Sequence, residues 1–422
     1  MIDALRNAAR IEDLRSKLLY TLAMLAIFRI GSHIPVPGVN AAALAEQFRT
    51  GAGNIFGFLD LFAGGALTNF SIFALSVTPY ITASIILQLL TVVIPRLEEL
   101  AKEGVEGRKV LAQYTRYGTV VLAVIQALGV TSLASAYNVL YDASFFSMAL
   151  IVVTLTAGTV LLMWIGEKIS ENGIGNGISL VIFTGIVARL PASAINIVRA
   201  IGEGGISVIG VLALLVLGVA LIAAIIVMQE GQRRIPVQYA KRVVGRRMYG
   251  GQSTHIPMRV NQAGVIPIIF ASSVLLFPLT LTQFIPALRV VDRYLGFGTP
   301  LYNTIYAILV IFFTYFYTAI TFNPREVADN MKKYGGFIPG IRPGQPTAEY
   351  LDRILTRITL VGALFLAVIA VIPYVLAGIT GVPTGFITIG GTGLLIVVGV
   401  ALDTLKQIEA HLLMRQYEGF IR

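Results

Sequence analysis

The sequence alternates between long apolar segments and short charged ones. A helix of about 20 apolar residues crosses the roughly 30 Å hydrocarbon core of a bilayer. Ten segments are long and apolar enough to do so, because GITGVPTG at residues 378–385 divides the charge-free run at 358–402 into two. The pattern predicts an all-α polytopic membrane protein with ten transmembrane helices. The predicted spans are residues 18–34, 71–93, 117–137, 146–166, 174–193, 206–228, 261–285, 302–322, 358–377 and 385–402.

The second predicted span, SIFALSVTPYITASIILQLLTVV at residues 71–93, contains several polar side chains but no charge. Polar groups that face lipid tails lack hydrogen-bonding partners, so we expect this helix to face other protein segments. Pro79 lies in the first half of the span. Because proline removes one backbone hydrogen bond, we expect this residue to let the helix bend when the protein changes conformation.

The segment IFGFLDLFAGGAL at residues 55–67 is apolar but short. Thirteen helical residues extend only about 20 Å, which is too short to cross the membrane. The segment follows an outward span and precedes an inward one. We therefore expect a re-entrant half-helix on the outer face, and an interfacial helix that lies flat on the membrane is the alternative.

Positive charges are concentrated near the termini and in every second connecting segment. Six such blocks contain 26 of the 32 Lys and Arg residues, and the net charge is +10. Cytoplasmic loops carry the excess of Lys and Arg, so these blocks and both termini are predicted to be cytoplasmic. Ten spans divide into two sets of five, and an odd number per set inverts the second relative to the first. We expect an N-terminal half at residues 1–200 and a C-terminal half at 201–422.

Composition excludes several classes of protein. Charged residues make up 13% of the chain, whereas soluble proteins carry about 25%, so a soluble globular protein is excluded. The predicted spans contain almost no ionisable residues, which argues against an ion-coupled carrier. The chain has no cysteine, its three histidines are far apart, and it lacks the Gly-Lys dipeptide of a Walker A loop. We expect neither an enzyme nor a bound metal or cofactor.

Two long basic loops separate the later spans. The loop at residues 229–260 contains seven Lys and Arg and one acidic residue, and the loop at 323–357 carries Arg342 at a Gly/Pro-rich turn. Connections without a function of their own are usually short, which favours docking surfaces for a polyanion or an acidic protein. Positive loops that lie beside anionic lipid are the alternative.

Six motifs together resemble the SecY family, the channel-forming subunits of bacterial protein export. They are the second span itself, MWIGEKISENGIGNGISLVIF, QRRIPVQYAKR, QSTHIPMRVNQAGVIPIIFASS, FNPREVADNMKKYGGFIPGIRPG and GGTGLLIVV. The resemblance extends from Leu18 to Tyr417. It implies that two inverted five-helix halves close like a clamshell around a central pore.

The resemblance also implies that an apolar ring and a plug close the pore. An apolar constriction blocks ions by dewetting. Two pairs in the implied ring have i,i+4 spacing and so project from one helix face, but periodicity alone does not select this face, because Ile85, Ile86 and Val181 are equally suitable. The implied ring is Val77, Ile81, Ile178, Ile182, Ile269 and Ile396, and the implied plug is the segment 55–67 with Phe56, Leu59 and Phe62.

A lateral gate between the second and seventh spans is implied in the same way. Interhelical hydrogen bonds in membranes average only about 0.6 kcal/mol, which suits an interface that must open. The implied gate residues are Thr82, Gln88, Ser272, Ser273 and Phe277, with Thr82 facing Phe277, and the implied docking residues for the motor and the ribosome are Arg246, Arg247 and Arg342.

The resemblance implies a passive protein-conducting channel in the bacterial cytoplasmic membrane, driven by the SecA ATPase or by translation. The expected partners are the small subunits SecE and SecG, SecA, the ribosome with its RNA, signal peptides, nascent chains and membrane lipids. A secondary transporter for an apolar solute, built on inverted repeats, is the alternative. The charge-free spans and the large basic loops argue against that alternative.

Overall fold

In the computed structural model, the protein is predominantly helical, with one three-stranded and one two-stranded β-sheet among the described residues. Twelve helices and five strands lie within the residues that the structure describes. These residues are 11–40, 60, 63–136, 139–142, 144–202, 208–239, 242–244, 247–249, 253–284, 295–296, 299–380 and 391–419.

The helices and strands follow one another along the chain with few long connections. The first helices are α1 (Glu12–Gly31), α2 (Thr78–Val93), α3 (Pro95–Lys102), α4 (Val105–Ala136), α5 (Phe145–Asn172), α6 (Gly177–Gly202) and α7 (Val208–Glu230). The four strands β1 (Gln232–Tyr239), β2 (Arg242–Val244), β3 (Arg247–Tyr249) and β4 (Ser253–Arg259) come next. The remaining elements are α8 (Ile266–Phe284), α9 (Pro300–Thr321), α10 (Pro324–Lys333), β5 (Gly336–Phe337), α11 (Gln345–Thr380) and α12 (Thr392–Gly419).

Each of the ten predicted spans overlaps one helix, and only the short, charged helices α3 and α10 have no predicted span. Within the described residues, α5, α6, α7, α9 and α11 are long and apolar enough to cross a membrane by length and composition. The bent pair α2 and α3 makes a sixth candidate if it counts as one span. The count of ten crossings stays a prediction.

Helix α2 begins at Thr78, later than the predicted start at Ser71. Residues 71–77 form turns, and Ser76 has a positive φ of 53°, which lies outside the right-handed helical region. Ser71 forms an isolated antiparallel bridge with Pro35. The first part of the predicted span is therefore an irregular segment fastened to the loop that follows α1.

The bending at Pro79 on a change of conformation stays a prediction, but Pro79 does not lie in the middle of a helix. Pro79 lies in the first turn of α2, where the N–H groups have no intrahelical acceptor and proline costs no hydrogen bond. The sharp bend follows the helix instead. The chain turns by 102° between α2 and α3 at Ile94, and Pro95 begins the new helix.

Most buried apolar side chains belong to two large clusters. The first cluster combines α1, α4, α5 and α6 with residues 63–77 and with Ile396 and Val400 of α12. The second cluster joins α7, α8, α9 and α11 with Ile85 of α2 and Leu395 of α12. Ile81 of α2 packs against both clusters. Helix α2 therefore lies where the two clusters meet, while the boundary between halves at residue 200 stays a prediction.

The two long basic loops form one folded unit, which the sequence pattern did not predict. Strand β1 lies between β4 and β5 and is antiparallel to both. Its residues Ile235 and Val237 are buried in a third cluster with side chains of α10 and α11, and their spacing of two places them on one face of the strand. The sheet thus joins the loop at 229–260 to the loop at 323–357.

Candidate channel pore

Six aliphatic side chains from four parts of the chain meet in the first hydrophobic cluster. Three of them are buried in it and three are half-buried and pack against it. Aliphatic side chains suit an apolar constriction, because they have no polar group that could bind an ion. The buried residues are Val77, Ile182 and Ile396, and the half-buried residues are Ile81, Ile178 and Ile269.

Local geometry explains how α6 brings two of these side chains into the cluster. Gly177 lies against Gly166 of α5 so closely that a Cβ atom at Gly177 would be 1.9 Å from the Gly166 carbonyl oxygen. Small residues allow this close approach of helix backbones. Ile178 follows at once, and Ile182 lies one turn further on the same face. The glycine contact therefore fixes the position of both isoleucines.

The structure separates the ring candidates from two of the three apolar residues that periodicity could not distinguish, Ile85 and Ile86, but not from Val181. Ile85 is buried in the second cluster, on the side of α8. Ile86 is 44% exposed on the outside of the chain. Val181 is buried in the first cluster beside Ile182. The helix faces thus differ, although the ring role of the six candidates stays a prediction.

The predicted plug lies only partly within the described residues. Phe56, Leu59 and Phe62 are outside them, and so no position is assigned to these three side chains. Asp60 and residues 63–67 are described. Ala63, Ala66 and Leu67 are buried in the first cluster, next to the candidate ring. Beyond residue 63 the chain forms turns rather than a helix.

Asp60 is the organising residue of this segment. Its side chain has no solvent exposure, and its Oδ2 atom lies 2.9 Å from Nη1 of Arg189 on α6. The Oδ1 atom accepts hydrogen bonds from the backbone N–H groups of Leu67 at 2.9 Å and Thr68 at 3.1 Å. The Thr68 hydroxyl donates to Oδ2. These partners satisfy a carboxylate that would otherwise be very costly to bury.

A second arginine, Arg29 of α1, forms a hydrogen bond to the backbone of the same segment. Arg29, in the last turn of α1, donates from Nη1 to the carbonyl oxygen of Gly64 at 3.0 Å. The sequence pattern did not predict that Arg29, Asp60 or Arg189 would take part in this site. The available signal was the single acidic residue within IFGFLDLFAGGAL, because an isolated charge in an apolar segment needs a partner.

The candidate gate helices α2 and α8 are in contact. Ile85 of α2 shares the second cluster with Ile268 and Ala271 of α8. Thr82 donates to the Thr78 carbonyl oxygen at 3.0 Å, and Ser272 donates to that of Ile269 at 2.8 Å. Both hydroxyls therefore bond to their own helices, and the described contact between the helices is apolar.

The other gate candidates are less fully described. Gln88 and Ser273 are half-buried. Phe277 lies in α8, but its side chain is outside the description. The predicted opposition of Thr82 and Phe277 stays a prediction.

Arg342, the candidate docking residue of the second basic loop, is exposed. Its turn is held by a hydrogen bond from the Thr347 hydroxyl to the Arg342 carbonyl oxygen at 2.8 Å, and Gly340 and Gly344 supply the positive φ angles. Arg246 lies outside the described residues, and Arg247 is in β3 with its side chain outside the description. A polar cleft of about 530 Å³ beside this turn is lined by Asn323, Arg325, Asp329, Glu349 and Asp352.

Helices α4 and α5 are joined by an ion pair beyond their predicted membrane segments. The Nε atom of Arg116 donates to Oε1 of Glu167 at 2.8 Å. This hydrogen bond raises the pKa of Arg116 above its ordinary value. Both side chains are partly exposed, and exposed ion pairs contribute little to stability.

Comparison with known proteins gives a consistent result. The family model described as SecY matches residues 71–405. Relatives named protein translocase subunit SecY include one from Streptomyces scabiei, 49% identical over 442 residues, and one from Halalkalibacterium halodurans, 50% identical over 435 residues. Both alignments cover 100% of this chain and 100% of the relative.

Solved structures of the same fold are more distant in sequence. A protein conducting channel matches with a TM-score of 0.66 and 19% identity, and a SecY structure concerned with the plug domain matches with 0.64 and 20%. Sec61 from a canine ribosome-channel complex matches with 0.62 and 19%. Each match covers 94% of this chain and 92% of the other. These findings confirm the resemblance and the fold class expected from it, and the chain belongs to the SecY family.

Proposed function

We propose that this chain forms the pore of a channel through which secretory polypeptides cross the bacterial cytoplasmic membrane. Membership of the SecY family carries the general function. The observation that best supports the position of the pore is that six aliphatic side chains from α6, α8, α12 and the start of α2 meet in one cluster. A passive channel is favoured over a transporter of apolar solutes, because the full-length relatives are translocase subunits.

The proposed ring works through its lack of polar groups. A narrow apolar constriction excludes water and ions when it is empty, because hydrated ions find no replacement ligands there. Aliphatic side chains can also shift around a passing polypeptide without forming specific bonds to it. The ring would thus limit ion leakage in the resting state and accept chains of any sequence.

The segment at 55–67 is the proposed plug, and α2 with α8 is the proposed lateral gate. In a SecY structure of the same fold, the plug domain is described as stabilising the closed state and maintaining the membrane seal. The gate proposal is supported by the apolar contact of α2 with α8. If the two helices separate, Ile85 can pack against an apolar peptide or lipid in place of α8. An apolar signal sequence would enter at this contact, and membrane segments would leave through it into the lipid.

The folded unit of β1, β4, β5, α10 and the start of α11 is the proposed docking surface. A ribosome-bound Sec61 channel shares the fold, which supports a ribosome as one partner, and Arg342 is exposed beside the unit. Contacts of arginine with ribosomal RNA weaken steeply with salt. SecA is the other proposed partner at this surface, SecE and SecG are the proposed small subunits, and both termini are proposed to be cytoplasmic.

Ion conductance of the reconstituted complex in planar bilayers tests the pore assignment. We expect Ile81→Asn to raise the resting conductance severalfold, because a polar side chain in the ring allows water and ions to remain in the constriction. Ile86→Asn is the matched control, since Ile86 lies on the exposed side of the same helix. Equal conductance of the Ile81 variant and the parent channel would exclude Ile81 from the ring.

A further inference from the structure

Asp60 is a charged residue in a fully buried, largely apolar part of the protein. Among the described residues it is the one charged side chain that is fully buried. Its two oxygens bind both the turn that follows it and Arg189 of α6. The carboxylate therefore has two separable tasks, because the bonds from the backbone N–H groups hold Leu67 and Thr68 beside Asp60 while the ion pair joins Asp60 to α6.

The backbone contact beside this ion pair is equally specific. Gly64 has a positive φ of 64°, and a Cβ atom on it would be 2.5 Å from the Cα atom of Gly185 on α6. Gly185 precedes Arg189 by one helical turn and so lies on the same face. Two successive turns of α6 thus contact the segment. Gly185 packs against its backbone, and Arg189 forms the ion pair with Asp60.

The same face of α6 also carries two of the six ring candidates, Ile178 and Ile182. Ile178, Ile182, Gly185 and Arg189 have the spacing i, i+4, i+7 and i+11, which lies along one side of a helix. Ala66 and Leu67 are buried in the cluster that contains Ile182. When Asp60 and residues 63–68 leave α6, the ion pair must break and the ring must lose part of its packing in the same movement.

We propose that Asp60 and Arg189 form an ionic latch that holds Asp60 and residues 63–68 on α6 in the resting channel. This inference rests on the proposed function, since it identifies what must be released before the pore opens. A substrate that widens the ring displaces α6 and separates the two charges. Once they separate, each can be hydrated, and the segment is free to leave. The strength of the pair then sets how readily the channel opens.

The latch is tested in the complete reconstituted complex by cysteine labelling. The chain has no cysteine, so Leu67→Cys introduces a unique thiol at a buried position of the segment. Arg189→Gln leaves the Asp60 charge without its partner, and Asp60→Asn removes the charge while its amide oxygen can still accept the backbone bonds. We expect each to increase the rate of maleimide labelling about tenfold or more, since a charged hydrogen bond contributes about 1.5–3 kcal/mol.

Three further variants separate a latch from a general effect on folding. Arg189→Lys keeps the positive charge, and we expect it to be labelled more slowly than Arg189→Gln, at a rate close to that of the parent. The double variant with Asp60→Asn and Arg189→Gln is expected to label no faster than the faster single variant, because both changes break one interaction. Arg199→Gln removes an exposed arginine from the same helix and is expected to label like the parent.

The outcomes distinguish this proposal from the proposed function. Parental labelling of both single variants would overturn the latch, and so would equally fast labelling of Arg199→Gln or additive rates in the double variant. If Ile81→Asn fails to raise conductance, the pore assignment fails, but the labelling rates still decide whether the ion pair holds the segment. If Ile81→Asn conducts while the latch variants label slowly, the latch alone is wrong.

Discussion

The contacts that fasten Asp60 and Gly64 to α6 differ in kind from those that join α2 to α8. On the α6 side, an ion pair between the buried Asp60 and the half-buried Arg189 and a glycine-to-glycine contact fix one register of the segment. On the α8 side, the described contact is made by aliphatic side chains, and the hydroxyls of Thr82 and Ser272 bond within their own helices. One region is held by directional interactions and the other by packing.

The difference suggests how one chain can combine a tight closed state with an interface that opens. A buried carboxylate such as Asp60 either keeps its partner with good geometry or loses it at considerable cost, so the α6 side is expected to switch between two states. Apolar packing depends on area rather than direction, so α2 can exchange α8 for an apolar peptide or for lipid. Three substitutions test this contrast.

The largest effect is expected from Ile85→Ala. Ile85 is 3% exposed in the second cluster, and truncation of a buried isoleucine costs about 2–5 kcal/mol because a cavity remains. Ile86→Ala, at a 44% exposed neighbour, is the control and should cost less than about 1 kcal/mol. The measurement is the free energy of unfolding of the purified complex in detergent. Equal losses for the two variants would contradict a packing contact through Ile85.

An intermediate effect is expected from Gly64→Ala. The new methyl group would overlap Gly185, and the residue would keep a positive φ, so we expect a loss of about 2–4 kcal/mol from overpacking and backbone strain together. Gly65→Ala is the matched control, because Gly65 also has a positive φ but has open space around its Cβ position. The control should lose only about 1–2 kcal/mol. Thermal unfolding of both variants measures the difference. Similar midpoints would show that the close contact of Gly64 with Gly185 on α6 does not affect stability.

The smallest effect is expected from Thr82→Val. The Thr82 hydroxyl bonds to the carbonyl oxygen of Thr78, which keeps its helical partner when the hydroxyl is removed. We expect a change in unfolding free energy of less than about 1 kcal/mol and parental export of a model secretory protein. A strong loss of export would mean that Thr82 forms a polar contact across the gate in another state of the channel.

Much of the fold was predictable because the partition of apolar segments into a membrane depends on local composition. Every predicted span overlaps a helix, and the family motifs led to the correct fold class. The start of α2 was not predictable in this way. Residues 71–77 are as apolar as the helix, yet the bridge of Ser71 with Pro35 holds them in turns. The basic loops show the same limit, because their shared sheet pairs Gln238 of one loop with Phe337 of the other.

By itself, the sequence determined the apolar segments, the placement of positive charge and the family, because each is encoded by residues close together in the chain. Only the tertiary structure decided which side chains meet. Asp60 and Arg189 are far apart in the sequence, and nothing local indicates that their charges pair. Likewise, four separate elements must pack before Val77, Ile182, Ile269 and Ile396 share a cluster. The reason is that pairing and packing energies depend on distances in space, which sequence spacing sets only within a single helix or strand.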